Sequence, residues 1–292
     1  MAVYKFFNTE VITSELVPIF QNLPQCVTSN YTPIKITIKR NRKKFEEDII
    51  GRDKIIFKKN QIATYEVNNG EEIIINISSE DKLNTALYYS LNIPMGCIFF
   101  QRGFICLHGS SVTKNNKTHA FLGSPGSGKS SFVGFLSNNG FKFASEDICI
   151  IEKATLICPG SFPMIKLSDP AAILCSQSNI IKEIDKDSKY RSTYSIDETN
   201  FQNEQSELNA IYVLDWGQST RIYEPNDKTK LRLLMNFVIP SITVNSMSIT
   251  KETYDYLFSL IKNVPIFIFE RERDLSEEAM IKNMDHFTSK IQ

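Results

Sequence analysis

Apolar and polar residues alternate through Ile34-Lys35-Ile36-Thr37-Ile38-Lys39, which turns one side of an extended chain towards a core and the other towards water, and predicts a strand. Lys54-Ile55-Ile56-Phe57, Ala63-Thr64-Tyr65-Glu66-Val67 and Glu72-Ile73-Ile74-Ile75-Asn76-Ile77 are rich in β-branched and aromatic residues, and Asn68-Asn69-Gly70 before the last of them is a turn sequence. The first part of the chain therefore reads as a small, mostly antiparallel sheet. Ser78, Ser79, Glu80 and Asp81 resemble a helix start, and Leu83, Ala86, Leu87, Ser90 and Leu91 then recur at helical spacing. The apolar runs Ile98-Phe99-Phe100 and Ile266-Phe267-Ile268-Phe269 read as buried strands.

From Phe104 onwards the pattern changes. Residues 104–112 predict one strand, Lys114-Asn115-Asn116-Lys117 a turn, and Thr118-His119-Ala120-Phe121-Leu122 a second strand, so a hairpin leads directly into a glycine-rich segment. Beyond it, Ser131 to Asn138 is helical with Gly140 as its stop. Lys142-Phe143-Ala144 and Ile148-Cys149-Ile150-Ile151 are strands on either side of an acidic pair. The remainder alternates strands, notably Ala210-Ile211-Tyr212-Val213-Leu214, with helix candidates at 227–238, 250–262 and 275–287. The polar stretch from Lys182 to Glu207 shows little apolar periodicity and reads as a long loop able to contact a substrate.

A chain of 292 residues, 42% of them hydrophobic, is long enough for two cores, and the change of pattern divides it into 1–79, a β-rich N-terminal domain, and 80–292, a domain of mixed strands and helices. Lysine plus arginine equals aspartate plus glutamate at 33 each, so no global field holds the chain on nucleic acid or an anionic membrane. The basic run from Lys39 to Lys44 is followed at once by Glu46, Glu47 and Asp48 and reads as a solvated turn. Cys26, Cys97, Cys106, Cys149, Cys158 and Cys175 are scattered without a C-x-x-C pair, which suits reduced thiols in a cytoplasmic protein. The N-terminal residues lack the pattern of an export signal, and no apolar stretch is long enough to span a bilayer.

The chemistry concentrates in Gly123-Ser124-Pro125-Gly126-Ser127-Gly128-Lys129-Ser130, followed by Ser131, which satisfies G-x-x-x-x-G-K-[ST] between a predicted strand and a predicted helix. Glycines let the backbone curl until successive N–H groups converge on phosphate oxygens, and the helix N-terminus adds partial positive charge. Lys129 can reach the β- and γ-phosphates, while Ser130 offers a hydroxyl to Mg²⁺. Glu146-Asp147 follows a strand that should end beside this loop. One carboxylate there can serve Mg²⁺ and the other can orient or deprotonate an attacking hydroxyl. His108, on the hairpin, is carried towards the same loop.

These residues resemble the HPr kinase/phosphorylase superfamily, and in particular the HPr-kinase-like serine kinases that act in lasso-peptide and other modified-peptide pathways. The resemblance rests on the order Leu107-His108-Gly109-Ser110-Ser111-Val112, glycine loop, Asn139-Gly140-Phe141, Ser145-Glu146-Asp147, and covers about residues 104–152, with Ile12-Thr13-Ser14-Glu15-Leu16 adding a diffuse likeness near the start. It implies an α/β fold in which a P-loop kinase core of the HPr-kinase and phosphoenolpyruvate-carboxykinase type is joined to a smaller β-rich domain. It further implies that the loop and Lys129 hold ATP or a similar nucleoside triphosphate, that Ser130 and Asp147 serve Mg²⁺, and that Glu146, where the family usually has aspartate, is the base on a serine of a peptide or small protein. His108 matches the family histidine near the phosphates. Lys166 follows the strand-like Phe162-Pro163-Met164-Ile165, and Lys189 and Arg191 lie in the polar segment where such kinases often place a basic, phosphate-contacting residue, although each also reads as solvated surface.

Other functions use the same residues. A small-molecule phosphotransferase or a carboxykinase shares the core, though a carboxykinase needs acid-binding arginines that are sparse near the motif. A nucleotide-sensing module would bind ATP without Glu146 acting as a base. Nucleic-acid engagement ranks last, with no basic and aromatic stripe to carry it. Trp216, the only tryptophan, could stack on a nucleotide base but reads as packing at a strand end, and Cys106 and Cys149 read as inert core residues.

Overall fold

The computed structural model describes residues 1–292 apart from 22, 41–48, 177–180, 189–190, 240–249, 275 and 292. Strands β1 (Ala2–Phe6) and β2 (Thr9–Thr13) form a hairpin, α1 (Pro18–Gln21) is a single turn, and β3 (Tyr31–Lys39), β4 (Ile49–Ile50), β5 (Lys54–Lys59), β6 (Ala63–Asn68) and β7 (Glu72–Ile77) complete a sheet in the order β1-β2-β3-β7-β6-β5-β4. Its pairings are antiparallel except at β3, which runs parallel to β2 and to β7. Between β6 and β7, Asn69 and Gly70 take positive φ (53° and 69°) in a turn closed by the Glu71 N–H on the Asn68 carbonyl at 2.9 Å.

A short 3-10 turn leads to α2 (Leu83–Ser90) and α3 (Ile93–Gln101), which pack on this sheet. The run Ile98-Phe99-Phe100, expected as a strand, is instead the end of α3. Pro94 presets helical φ in the first turn, and Pro94 to Phe99 are all buried, so the helix carries no polar stripe by which its period might be read. Phe6, Ile36, Tyr65 and Ile75 of the sheet share one core with Leu87, Met95 and Phe99 of the helices and with Ile148, Phe162 and Met164 farther along.

The chain continues through β8 (Ile105–Leu107), β9 (Gly109–Lys114), β10 (Lys117–Leu122), α4 (Lys129–Asn138), β11 (Lys142–Ser145), β12 (Cys149–Ile151), β13 (Ile157–Cys158), β14 (Met164–Ser168) and α5 (Asp169–Ser176). Then come β15 (Ile181–Ser188), β16 (Arg191–Ile196), β17 (Ser206–Trp216), β18 (Arg221–Tyr223), α6 (Asp227–Met235), α7 (Lys251–Asn263), β19 (Ile266–Arg271) and α8 (Glu277–Ile291). The central sheet has the order β11-β9-β10-β17-β19-β18. β10, β17 and β19 run parallel, and β11 shares their direction because β9 is antiparallel to both β10 and β11.

Alternating residues of the central strands feed two cores. Phe121, Tyr212 and Leu214 pack with Phe132 of α4 and Phe287 of α8 on one face, while Leu122, Ile211 and Val213 pack with Leu234 of α6 and Leu257 and Leu260 of α7 on the other. A sheet covered on both faces makes this a mixed α/β molecule in layers. Among the described residues no helix is long and apolar enough to cross a membrane.

The strand predicted over 104–112 is two strands, β8 pairing with β12 and β9 with β10 and β11, with the break at His108. The supposed loop from Lys182 to Glu207 contains the hairpin β15–β16, paired with β14, and the start of β17. Register shifts between Glu183 and Asp185 and between Lys186 and Ser188 break the period of two that marks a strand in sequence, and β15 is an edge, where charged residues are tolerated.

Candidate functional site

Because β10, β11, β17 and β19 share a direction, their C-terminal ends open at one end of the sheet, the place where layered α/β proteins bind ligands. Gly123 follows β10, Glu146 follows β11, Trp216 ends β17 and Arg271 ends β19. His108 immediately precedes the antiparallel β9 and therefore stands at the same end.

The glycine loop joins β10 to α4. Ser127 N–H donates to the Ser124 carbonyl at 3.0 Å, closing a turn, and Gly126 and Gly128 take positive φ (83° and 80°). A Cβ on Gly123 would lie 2.5 Å from Ser127 Oγ and 2.9 Å from the Leu214 carbonyl, so the loop must start with glycine. Gly128 is the N-cap of α4 and no side chain caps the helix, which leaves its first N–H groups to face an anion. Lys129 is only 8% exposed, and its Nζ donates to the Gly123 carbonyl at 2.7 Å. Ser124, Pro125 and Gly126 are exposed, while Ser130 and Ser131 are half-buried in the first turn.

Glu146 is buried, 1% exposed. Its Oε2 accepts from the Tyr88 hydroxyl at 3.2 Å and the Lys166 backbone N–H at 2.5 Å, and the Ser130 hydroxyl stands near enough to oppose the rise in its pKa. Burial, and after it the charge of Asp147, pushes its pKa up to about 8. Asp147 sits half-buried at φ 59°, and its carbonyl oxygen lies 2.8 Å from His108 Nδ1. A carbonyl can only accept, so Nδ1 carries the proton and Nε2 is left as an acceptor. Burial lowers the His108 pKa, with Asp147 opposing and Lys129 reinforcing that shift, so the imidazole is neutral.

The predicted residues Lys129, Ser130, Glu146, Asp147 and His108 thus meet at one place. Lys166 reaches it through its main chain, while its Nζ lies 4.7 Å from the Tyr88 ring centroid. Lys189 and the side chain of Arg191 lie outside the described residues, as do residues 41–44 of the basic run. Arg40 of that run pairs with Glu15 and Glu80 at the surface. All six cysteines are buried and free.

Two residues of the site escaped the sequence reading. Tyr88 comes from α2, far from the motif, and carries no local signal. Arg271 ends β19, two residues beyond its apolar run 266–269, and that position was the available clue. Its guanidinium donates to the Ser127 carbonyl and lies 4.7 Å from the Trp216 ring, whose Nε1 donates to the Gly126 carbonyl at 3.2 Å.

The arrangement suits an anionic chain of phosphates on the loop with hard oxygen donors beside it. Among the described residues no group of three or more His, Cys, Asp or Glu side chains is placed to hold a metal alone. Mg²⁺ needs no such cage when one or two carboxylates share it with phosphate oxygens, and Ser130, Glu146 and Asp147, near one another at the loop, would fit such a donor set.

No protein-family model and no curated protein sequence matches the chain. Among solved structures, the HPr(Ser) kinase/phosphatase from Coxiella burnetii overlaps 64% of this chain and 97% of its own, at 9% identity and a TM-score of 0.30.

Proposed function

We propose that the chain is a P-loop kinase that uses Mg²⁺ and ATP to phosphorylate a serine hydroxyl on a peptide or small protein. The observation that supports it most is the placing of the loop lysine and serine, Lys129 and Ser130, beside a buried acid, Glu146, at the same end of the sheet. The serine acceptor rests on the order of motifs described above. In this reading the loop N–H groups and Lys129 hold the phosphates, Lys129 exchanging the Gly123 carbonyl for a phosphate oxygen. Mg²⁺, when bound, offsets charge on the phosphates. Ser130 and Asp147 would be its ligands in the family pattern, and Glu146, in its ionised form, would accept the hydroxyl proton.

The nearness of Ser130 to Glu146 favours a second division of labour. Glu146 with Ser130 would hold the ion, and Asp147, half-buried beside the neutral His108, would take the proton. Tyr88 and the Lys166 N–H fix Glu146 Oε2 in either case, since both donate to that one oxygen.

The test is phosphopeptide formation, detected by mass, with purified protein, Mg²⁺, ATP and serine-containing peptides. Lys129→Ala should lower kcat/KM by about a thousandfold or more while the fold persists, as expected when phosphate charge stabilisation is removed. Normal turnover by that variant would overturn the proposal. Glu146→Gln and Asp147→Asn then separate the two divisions: the ion ligand raises the Mg²⁺ concentration needed for half-maximal rate, whereas the base lowers kcat at saturating Mg²⁺. Nucleotide binding without phosphorylation of any acceptor would favour a sensing module instead.

A further inference from the structure

Arg271 is 1% exposed, with its guanidinium 4.7 Å from the Trp216 ring centroid, 5.6 Å from that of Phe132 and 5.7 Å from that of Phe269. Its Nε has no hydrogen-bond partner. Among the described residues no carboxylate pairs with it: neighbouring Glu270 accepts from Arg221 and Tyr223, and Glu272 from Lys282. Burial lowers its pKa to about 10, which still leaves a cation at neutral pH. A buried charge without a counter-charge destabilises a fold, and an apolar side chain of similar volume would suit these three aromatic rings better.

The position of the cation is specific. A Cβ built on Gly128 would lie 3.6 and 3.7 Å from its two terminal nitrogens, so the guanidinium rests against the last residues of the glycine loop. It holds the Ser127 carbonyl, while Trp216 Nε1 holds the Gly126 carbonyl before it. A trans peptide is planar with its C=O and N–H on opposite sides. Drawing the Ser127 carbonyl towards Arg271 therefore turns the Gly128 N–H away from it, at the point where α4 begins.

We infer that Arg271, backed by Trp216, is a positioning residue of the glycine loop, whose positive charge is balanced by the polyphosphate of a nucleotide when one binds. The inference rests on the phosphate-binding reading of the loop and adds to it a residue from a distant strand. Arg271 acts through the Ser127 peptide and through its field rather than by touching phosphate.

The decisive variant is Arg271→Met, measured beside wild type and Arg271→Lys. Melting of the free proteins is compared with calorimetric titration by Mg-tripolyphosphate, which has no base or ribose, and by MgATP. Arg271→Met should melt at or above the wild-type temperature yet bind both probes at least tenfold more weakly and by a similar factor. Arg271→Lys, which keeps the charge but not the fork, should lose less. Wild-type affinity in Arg271→Met would overturn the inference, as would an equal loss in both variants. Melting well below wild type, or failure of the Met variant to fold, would make the arginine a support of the fold and overturn it too. Loss confined to ATP would assign Arg271 to the nucleoside instead. Failure of wild type to bind either probe would defeat the phosphate-binding reading itself.

Discussion

Glu146 is held at a pKa of about 8, against an ordinary value of 4.5, by burial and by Asp147. A carboxyl whose folded pKa is raised favours its protonated form, so its contribution to stability is fully present below about pH 4.5 and is lost as pH rises through 8. In the metal-free protein Glu146→Gln, neutral at every pH, should therefore be more stable than wild type at pH 7, with the advantage vanishing towards pH 4.5. The amide oxygen keeps the Tyr88 and Lys166 donors. Chemical denaturation at both pH values measures it, and a less stable variant at pH 7 would refute the account. His119 has the opposite sign. It is buried against Tyr212 and Phe287, and burial, then the charge of Lys114, lowers its pKa to about 4. The folded protein resists its protonation, so stability falls as pH drops from about 6.5 to about 4, by on the order of 3 kcal/mol. Urea titrations of His119→Leu should show a flatter acid limb than wild type, whatever the absolute stability of the variant. Of the site, the loop and the acidic pair were legible because each is contiguous and its chemistry is local. Tyr88 and Arg271 were not, since their roles come from strand and helix ends that only the fold brings to the loop.

Elements were legible where one face is buried and the other wet. β3 and β7 appear in the pattern as they stand in the sheet, and α7 and α8 match their expected spans to within a few residues. α3 failed because burial on every side erased its period, and β15 because bulges did the same at an edge. The strand read through His108 shows a third cause. Buried residues stand on both sides of the break, but Gly109 opens a new strand that packs closely on β10. A Cβ on Gly109 would meet Leu122 Cδ2 at 2.5 Å and the Phe121 carbonyl at 2.8 Å. Gly109→Ala should therefore force β9 from β10 and lower stability by about 2 kcal/mol, as overpacking of a core does. Unchanged denaturation midpoints would mean that the hairpin gives way without strain. The same close approach explains why His108 is followed by a residue without a side chain.

At the scale of the molecule, the boundary expected at residue 79 falls inside one hydrophobic cluster. Leu87, Leu91, Met95, Ile98 and Phe99 lie beyond it yet pack with Ile36, Tyr65 and Ile75. Each such side chain is worth roughly 1.5–3 kcal/mol when buried, so together they rival the net stability of a typical domain. A fragment of residues 80–292 should consequently lack a cooperative unfolding transition by circular dichroism, whereas the full chain should show one. A sharp transition in the fragment would place the boundary where the sequence pattern put it. The sequence pattern registers a change of local period at that point, but whether two faces are shared across it is a property of packing that no local window contains.

Phe287 of α8 closes the opposite cluster, packing against Phe121, Phe132, Phe141 and Tyr212, the residues that seat the loop and its helix. On the ribosome this has an order to it. The first sheet can emerge and pair early, but the strand and helix on either side of the glycine loop wait for α8 to leave the exit tunnel before their aromatic core is sealed. A nascent chain thus carries the loop sequence long before it carries the scaffold beneath it, and a stop codon anywhere before Phe287 should leave a product that presents bare phenylalanines to chaperones.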